Sequence, residues 1–400
     1  MRGFTPVILI IIAAVVLIAG FFGFQVIKHN KYDNFQIEDV AKSKGKENPF
    51  SKMYSAGKCQ GEGTITFKFS PMKIEDIGQI EPYGIMVGAH VIPTSHGYIS
   101  PVEFHSERDK YPVYAPADGY IVNVSHRGQF VGDDAPQGKV TDEYQMYFEH
   151  SCTFYSYYDL LTSLSPEIKA EVGELTGFQN KQVRIPIKAG QLVGRIGGQT
   201  VDFAVWNFEK EPVYFVNPKS YQGDEDRFYL DDMFAYFEEP LRSQLLSKNM
   251  RVAEPRTGKV AYDKEGKLVG NWFREGSGGF NGVQDGPREP GYRYWDGHLS
   301  ISYDFIDPTQ IKFSIGNLEG KAAQLGIVGN SPDPATIGVE QGLIKYELTS
   351  NSPTQTAVGY FQGLVLLQLI EPSKLKLELF PDKRSDQVSG FTSKAQMYER

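Results

Sequence analysis

Short β-forming runs, each closed by turn-forming residues, recur from residue 64 to the end of the chain. Successive side chains alternate faces along a strand, so Thr64-Ile65-Thr66-Phe67-Lys68-Phe69 reads as a strand with one buried face. Comparable runs lie at 113–115, 119–124, 145–149, 153–157 and 201–206. Pro116-Ala117-Asp118-Gly119 and Lys188-Ala189-Gly190 supply turns between them. A second series follows at 259–262, 299–303, 310–315, 343–348, 363–370 and 375–380. This spacing excludes a helical bundle and predicts a mostly β chain built as a sandwich or small barrel. Composition agrees, since 41 Gly and 23 Pro favour turns while 23 Tyr and 26 Phe favour strands. At roughly 150 residues per domain, the chain holds two or three domains.

Two stretches depart from that pattern as helices. Residues 163–175 contain Ser165-Pro166-Glu167, an N-cap followed by proline and an acid in the first turn. In 224–249, Leu230, Met233, Phe234, Phe237, Leu241 and Leu245 recur at helical spacing, with Pro240 placed to kink or split the helix. This segment is expected to be a helical linker, 223–250, between two β domains.

The N-terminus is a third exception. Residues 7–24 are all Val, Ile, Leu, Ala, Gly or Phe, and at ~1.5 Å per residue they span about 27 Å, a bilayer's hydrocarbon thickness. The run is longer than a signal-peptide core, and no small-x-small cleavage site follows Phe21-Phe22-Gly23-Phe24. It reads as an uncleaved single-pass anchor, 1–27, followed by a polar tether, 28–57. Lys28, Lys31 and Lys42 after the span would by themselves keep the bulk of the chain in the cytoplasm. Long domains translocate largely regardless of such charges, and the content of the following domain points outside.

A net charge of −8 argues against a nucleic-acid partner, which would demand a basic face. Two cysteines rule out a disulfide-dense scaffold and a four-thiolate zinc site.

Tyr111-Pro112-Val113-Tyr114-Ala115-Pro116-Ala117-Asp118-Gly119-Tyr120-Ile121-Val122 resembles the strand-turn-strand of lysostaphin-type zinc endopeptidases. Tyr147-Phe148-Glu149-His150 with Tyr157-Tyr158-Asp159-Leu160 looks like that family's next strands. Ile187-Lys188-Ala189-Gly190-Gln191-Leu192-Val193-Gly194, then Val201-Asp202-Phe203-Ala204-Val205, resembles its closing hairpin. The resemblance covers about 85–215 and implies a duplicated-hybrid-motif β-sandwich within a domain at 58–222, leaving 251–400 as a C-terminal β domain.

The family holds zinc with a His-x-x-x-Asp pair and a closing-strand His, and further histidines assist water activation. The early His matches His96, but Ser100 stands where the Asp belongs. Asp202 stands at the closing-strand ligand, and Asp159 and Thr200 stand where auxiliary histidines are expected. The metal site is therefore read as degenerate, with no catalytic residue assigned and no cofactor. The alternative is a rearranged zinc site on His96 and Asp202, with His90 as third donor, in an active metallopeptidase. A literal His-x-x-x-Asp at His105 and Asp109 sits too close to Pro112 for the family's register. The bland reading of each His is a hydrogen-bonded loop residue.

Cys59 and Cys152 flank the first half of this domain. Outside the cytoplasm they can pair, closing a loop of about 94 residues worth roughly 4–5 kcal/mol in the chain-entropy model. Otherwise they are two buried thiols. In the C-terminal region, Asn271-Trp272-Phe273 and Tyr292-Arg293-Tyr294-Trp295-Asp296-Gly297-His298 suit either a sugar or peptide platform or a β core. Gly276-Ser277-Gly278-Gly279-Phe280-Asn281-Gly282 reads as a flexible loop and lacks the Lys-Ser/Thr ending of a phosphate-binding loop.

The expected protein is anchored in the cell membrane with its bulk outside the cytoplasm. It binds envelope polymer or partner proteins without hydrolysis. A structural subunit of an envelope complex is the third class, separable by pull-down from membranes.

Overall fold

The computed structural model describes residues 48–55, 58–127, 142–282, 293–350 and 360–400. The expected anchor, 1–27, and the tether up to residue 47 lie outside the described residues. No helix among the described residues is long and apolar enough to cross a membrane. The chain divides into two units, Met1–Lys42 and Ser43–Arg400, and every described residue belongs to the second.

The last residues of the expected tether are folded. Helix α1 (Pro49–Tyr54) starts at Asn48, whose side chain accepts from the Ser51 N–H at 2.9 Å. Phe50 is 4% exposed, its ring packed against Tyr147, Tyr155, Trp206 and Phe208. An apolar anchor at the tether's end was hidden by its polar neighbours.

Ten strands build a β-sandwich. They are β1 (Ile77–Glu81), β2 (Gly97–Pro101), β3 (Tyr111–Tyr114), β4 (Gly119–His126), β5 (Tyr144–Ser151), β6 (Phe154–Leu161), β7 (Ser163–Leu164), β8 (Asn180–Ile187), β9 (Leu192–Ile196) and β10 (Val201–Asn207). One sheet has the order β1-β2-β10-β6-β5-β4-β8; the other is β3-β9-β7. β10 lies inside the sheet and is buried at every residue, Asp202 and Asn207 included, whereas β8 is an edge strand with Asn180, Lys181, Gln182 and Pro186 exposed. Tyr158 on β6 donates to the Tyr114 carbonyl at 2.9 Å, tying the large sheet to the small one. By strand alternation Tyr157 and Asp159 therefore point to the opposite face. Helix α2 (Pro166–Val172) is capped by Ser165 and ends at Gly173, which takes φ 76°. A disulfide joins Cys59 to Cys152, with the Cα atoms 5.0 Å apart.

The C-terminal region is a closed eight-strand barrel. Its strands are β11 (Gly270–Arg274), β12 (His298–Tyr303), β13 (Ile311–Leu318), β14 (Lys321–Ile327), β15 (Ile344–Thr349), β16 (Phe361–Glu371), β17 (Lys374–Phe380) and β18 (Gln396–Glu399). Each pairs antiparallel with its neighbour in sequence, and β18 returns to β11, so no sheet edge is left open. Trp272, Phe313, Val365 and Leu375 fill the interior, and the Trp272 indole donates to the Leu268 carbonyl at 2.9 Å.

Three expected elements differ. Residues 64–69 make only a single bridge, Phe67 to Phe237, because Phe67 is buried among rings rather than laddered to a strand. Residues 259–262 form no strand, although Val260 and Tyr262 are buried. The linker is mainly irregular: a 3₁₀ turn covers Glu225–Tyr229, and helix α3 (Leu241–Lys248) begins just after Pro240. Met233, Phe234, Phe237 and Leu245 are buried, so the apolar periodicity reports packing of an extended segment against the sandwich and not one helix. Sandwich and barrel are cross-tied where Gln324 both accepts from the Gly88 N–H and donates to its carbonyl, each at 3.1 Å.

Candidate functional site

A row of polar side chains crosses the outer face of the large sheet. Glu81 on β1 opposes Tyr98 on β2, Tyr98 opposes Asp202 on β10, and Asp202 opposes Asp159 on β6. Directly opposed residues in an antiparallel ladder share a face, so three carboxyls and a phenol line up across four strands. Their partners separate them. Asp159 is ion-paired to Arg127, accepts from Gln145 Nε2 at 2.9 Å, and accepts from the Leu160 N–H at 2.7 Å. Asp202 has a Thr200 hydroxyl at 3.3 Å and His96 Nε2 at 3.5 Å. Burial pushes both carboxyls up, Asp202 well above its ordinary range, with repulsion from Asp159 next. Since Arg127 and two further donors favour the charged form of Asp159, the proton of this pair rests on Asp202.

Burial favours the neutral forms of His90 and His96. Burial holds His96 well below its ordinary value, with His90 and the Arg127 and Arg227 charges adding to the effect. His90, 5.3 Å from His96 between ring centres, is lowered to about 4, first by burial and then by the same two arginines. His96 Nε2 also lies 3.0 Å from the Tyr98 hydroxyl.

Above His90, His96 and Asp159 lies a cavity of about 220 Å³ between sandwich and barrel. The sandwich contributes Arg127, Gln145, Tyr147, Tyr157 and Trp206; the barrel side contributes Phe280, Tyr294 and His298. Asp224 and Arg227, from the segment between them, form an ion pair at its wall, and Arg227 also donates to the Pro93 carbonyl. Asp226 lines the same space, its carboxyl raised to about 7 by burial and then by Asp224. His298, lowered to about 4 by burial, stacks on Phe280 at 5.4 Å and hydrogen-bonds its carbonyl at 2.9 Å.

Of the expected ligands, His96 and Asp202 are brought together, and His90 lies beside His96. Ser100 is not part of their contact: its hydroxyl donates to Glu81 at 3.2 Å, one position along the row. His105 is exposed against Phe104, while Asp109 accepts from Thr162 at 2.6 Å, so that literal pair serves loop structure. The glycine-rich loop is a 3₁₀ turn, Gly279–Asn281, that delivers Phe280 to the cavity. The aromatic segments split: Trp272 is barrel core, while Tyr294 and His298 line the cavity.

A catalytic zinc takes three donors at about 2.0–2.3 Å and an open fourth position. Among the described residues no three His, Cys, Asp or Glu side chains form a group that could hold a metal ion. Arg127 places a fixed positive charge on Asp159 beside Asp202, where a dication would need uncompensated anions. These residues do not fit zinc.

Sequence reasoning missed Arg127, Arg227, Asp226 and Phe280. One signal was available for the first: a buried Asp159 requires a cationic or multiply donating partner.

No protein-family model matches the chain, and no curated protein matches it. Among solved structures, Csd3 of Helicobacter pylori is 17% identical at a TM-score of 0.20, over 36% of this chain and 31% of that one. A zinc-containing peptidase from Vibrio cholerae is 16% identical at 0.20, over 37% and 41%. The chain thus spans well under half of either protein. The antimicrobial peptidase lysostaphin from Staphylococcus simulans is 13% identical at 0.25, over 75% and 100%. Likeness at these scores assigns neither a fold nor a family to this chain.

Proposed function

We propose that this chain is a membrane-anchored, extracytoplasmic protein whose peptidase-like domain binds cell-envelope polymer or a partner protein without hydrolysing it. The supporting observation is the Arg127–Asp159 ion pair beside the Asp202–His96 contact. Hydrolysis on this fold needs a metal-bound water made acidic by a dication. Here the position next to the closing strand is charge-balanced by a guanidinium, with a protonated carboxyl and a neutral imidazole alongside. Glycosidic chemistry finds no support either, since the acid pair of such a site needs one group free to attack or deprotonate water, and Asp159 is bound by three donors. What remains is a lined cavity with aromatic walls and oriented polar groups, the ordinary equipment of a binding site.

The test is incubation of the purified full chain with peptidoglycan and with oligoglycine, with and without added zinc. The expected outcome is no fragment release, with the chain or its partner retained on the sedimented polymer or membrane fraction. Zinc-dependent release that disappears in His96→Ala establishes the rearranged metallopeptidase in its place.

A further inference from the structure

Asp226 is the one charged side chain of the cavity lining that has no counter-charge among the described residues. Asp159 is paired with Arg127, and Asp224 with Arg227. Arg227 is committed elsewhere, by its Nε to Asp224 and by its Nη1 to the Pro93 carbonyl. Burial favours the neutral forms of His90, His96 and His298. The lining therefore sets three carboxyls against two guanidiniums, an excess of one negative charge once Asp226 is ionised. Asp226 is partly exposed, and the hydrogen bond its carboxyl accepts comes from its own backbone N–H. Burial, and then the Asp224 charge, raise it to about 7, so its ionised form gains from a cation seated against it.

The walls describe that cation. The Tyr147 phenol is held up by burial first, then by Tyr54 and Asp226, which puts Asp226 within charge reach of Tyr147. Tyr147, Tyr157 and Trp206 pack on one another, with ring centres 5.5, 5.1 and 5.8 Å apart, as one aromatic wall of the cavity. On the barrel side the Arg227 guanidinium already lies 5.6 Å from the centre of the Phe280 ring. Aromatic faces attract a cation through their quadrupole but give no lone pair to a metal ion, so rings beside one carboxylate suit an organic ammonium. At about 220 Å³ the cavity is below the range of roughly 300–1,000 Å³ for drug-sized ligands, and holds a head group rather than an extended chain.

We propose that this cavity takes one organic ammonium group, primary or methylated, between the Asp226 carboxylate and the wall formed by Tyr147, Tyr157 and Trp206. This rests on the non-hydrolytic binding reading above and names the ligand chemistry of that site.

The test is calorimetric titration of the full chain at pH 8, where Asp226 is mostly ionised. The titrants are n-butylammonium and choline, their uncharged counterparts n-butanol and 3,3-dimethyl-1-butanol, and potassium chloride as the inorganic cation. Expected is saturable one-to-one binding of an ammonium, at least tenfold tighter than its uncharged counterpart and not displaced by equimolar potassium. Asp226→Asn loses at least tenfold in affinity and Asp226→Glu keeps most of it. Glu174→Gln, at an exposed acid outside the cavity, leaves it unchanged. Asp226→Asn removes a buried charge and should melt no lower than the parent at pH 8, so its loss of binding is not loss of fold. The uncharged counterparts decide on the parent chain without any substitution. Binding of butylammonium alone identifies a primary ammonium, binding of choline alone a quaternary one, and binding of both a site that reads charge and ring contact. No saturable binding of either ammonium, equal affinity for the uncharged counterparts, displacement by equimolar potassium, or unaltered affinity in Asp226→Asn overturns the proposal. Any of these leaves the non-hydrolytic reading standing, whereas zinc-dependent cleavage removes that reading whatever the amines do.

Discussion

Asp159 and Asp202 face each other directly across β6 and β10, and among the described residues Arg127 is ion-paired with Asp159. Arg127 is thus the counter-charge that lets a buried acid stay ionised beside another acid. Arg127→Met is expected to destabilise the fold by about 1–3 kcal/mol, below the usual cost of breaking a buried pair because Arg127 itself is 40% exposed. Adding Asp159→Asn should recover part of the loss. Urea denaturation of the four members of this cycle checks it; strictly additive losses would mean the pair is not coupled.

Acid should act on His298 and Asp226 in opposite senses. His298 titrates at about 4 against an ordinary 6.5, so both states are neutral above 6.5 and only the unfolded chain takes the proton first below it. Its contribution is present above pH 6.5 and lost as pH falls to 4. Asp226 titrates at about 7 against 3.8, so its contribution is present below 3.8 and lost as pH rises through 7. His298→Asn should therefore flatten the stability curve between pH 6.5 and 4, and Asp226→Asn should gain relative to the parent chain at pH 8 over pH 4. Stability curves parallel to the parent's in either variant contradict the assignment.

Gly119 turns the chain after Asp118, whose carboxylate accepts from the Ala189 N–H and from Lys188. A Cβ at this position would meet the Glu149 carbonyl oxygen well inside van der Waals contact. Gly119→Val is expected to cost about 1–3 kcal/mol, read as a lowered melting midpoint. An unchanged midpoint would show that β4 and β5 separate freely there.

Residues after 28 are expected outside the cytoplasm, in keeping with the Cys59–Cys152 disulfide. Protease shaving of intact cells should digest the C-terminal part, or leave a disulfide-linked fragment that separates on reduction. Full protection until the cells are opened would contradict the topology and agree with the lysine count after the span.

The sandwich was legible where burial and alternation coincide. Residues 201–206 were read as a strand because β10 is buried on both faces, and the Asp118-Gly119 turn because its residue types serve little else. The edge strand β8 was not legible, since Asn180, Lys181 and Gln182 face water and carry no apolar period. The barrel's closure was hidden for a similar reason: β18 is four residues long with two exposed ends. Half of the site was legible, because His96 and Asp202 occupy positions marked by the resemblance. The rest was not, because Arg127 reaches Asp159 across 32 residues of chain and Phe280, Tyr294 and His298 arrive from another domain. Local spacing records neither relationship. The linker misled because apolar residues buried along an irregular segment, Met233, Phe234 and Phe237 among them, can fall at a helical spacing without forming a helix.

The central claim is that protein charge occupies the place of a catalytic metal. Metal analysis of the purified full chain after exchange against zinc tests it most directly. The account predicts zinc well below one equivalent per chain, unchanged in His96→Ala. One tightly held zinc per chain, lost in His96→Ala together with peptidase activity, would contradict it.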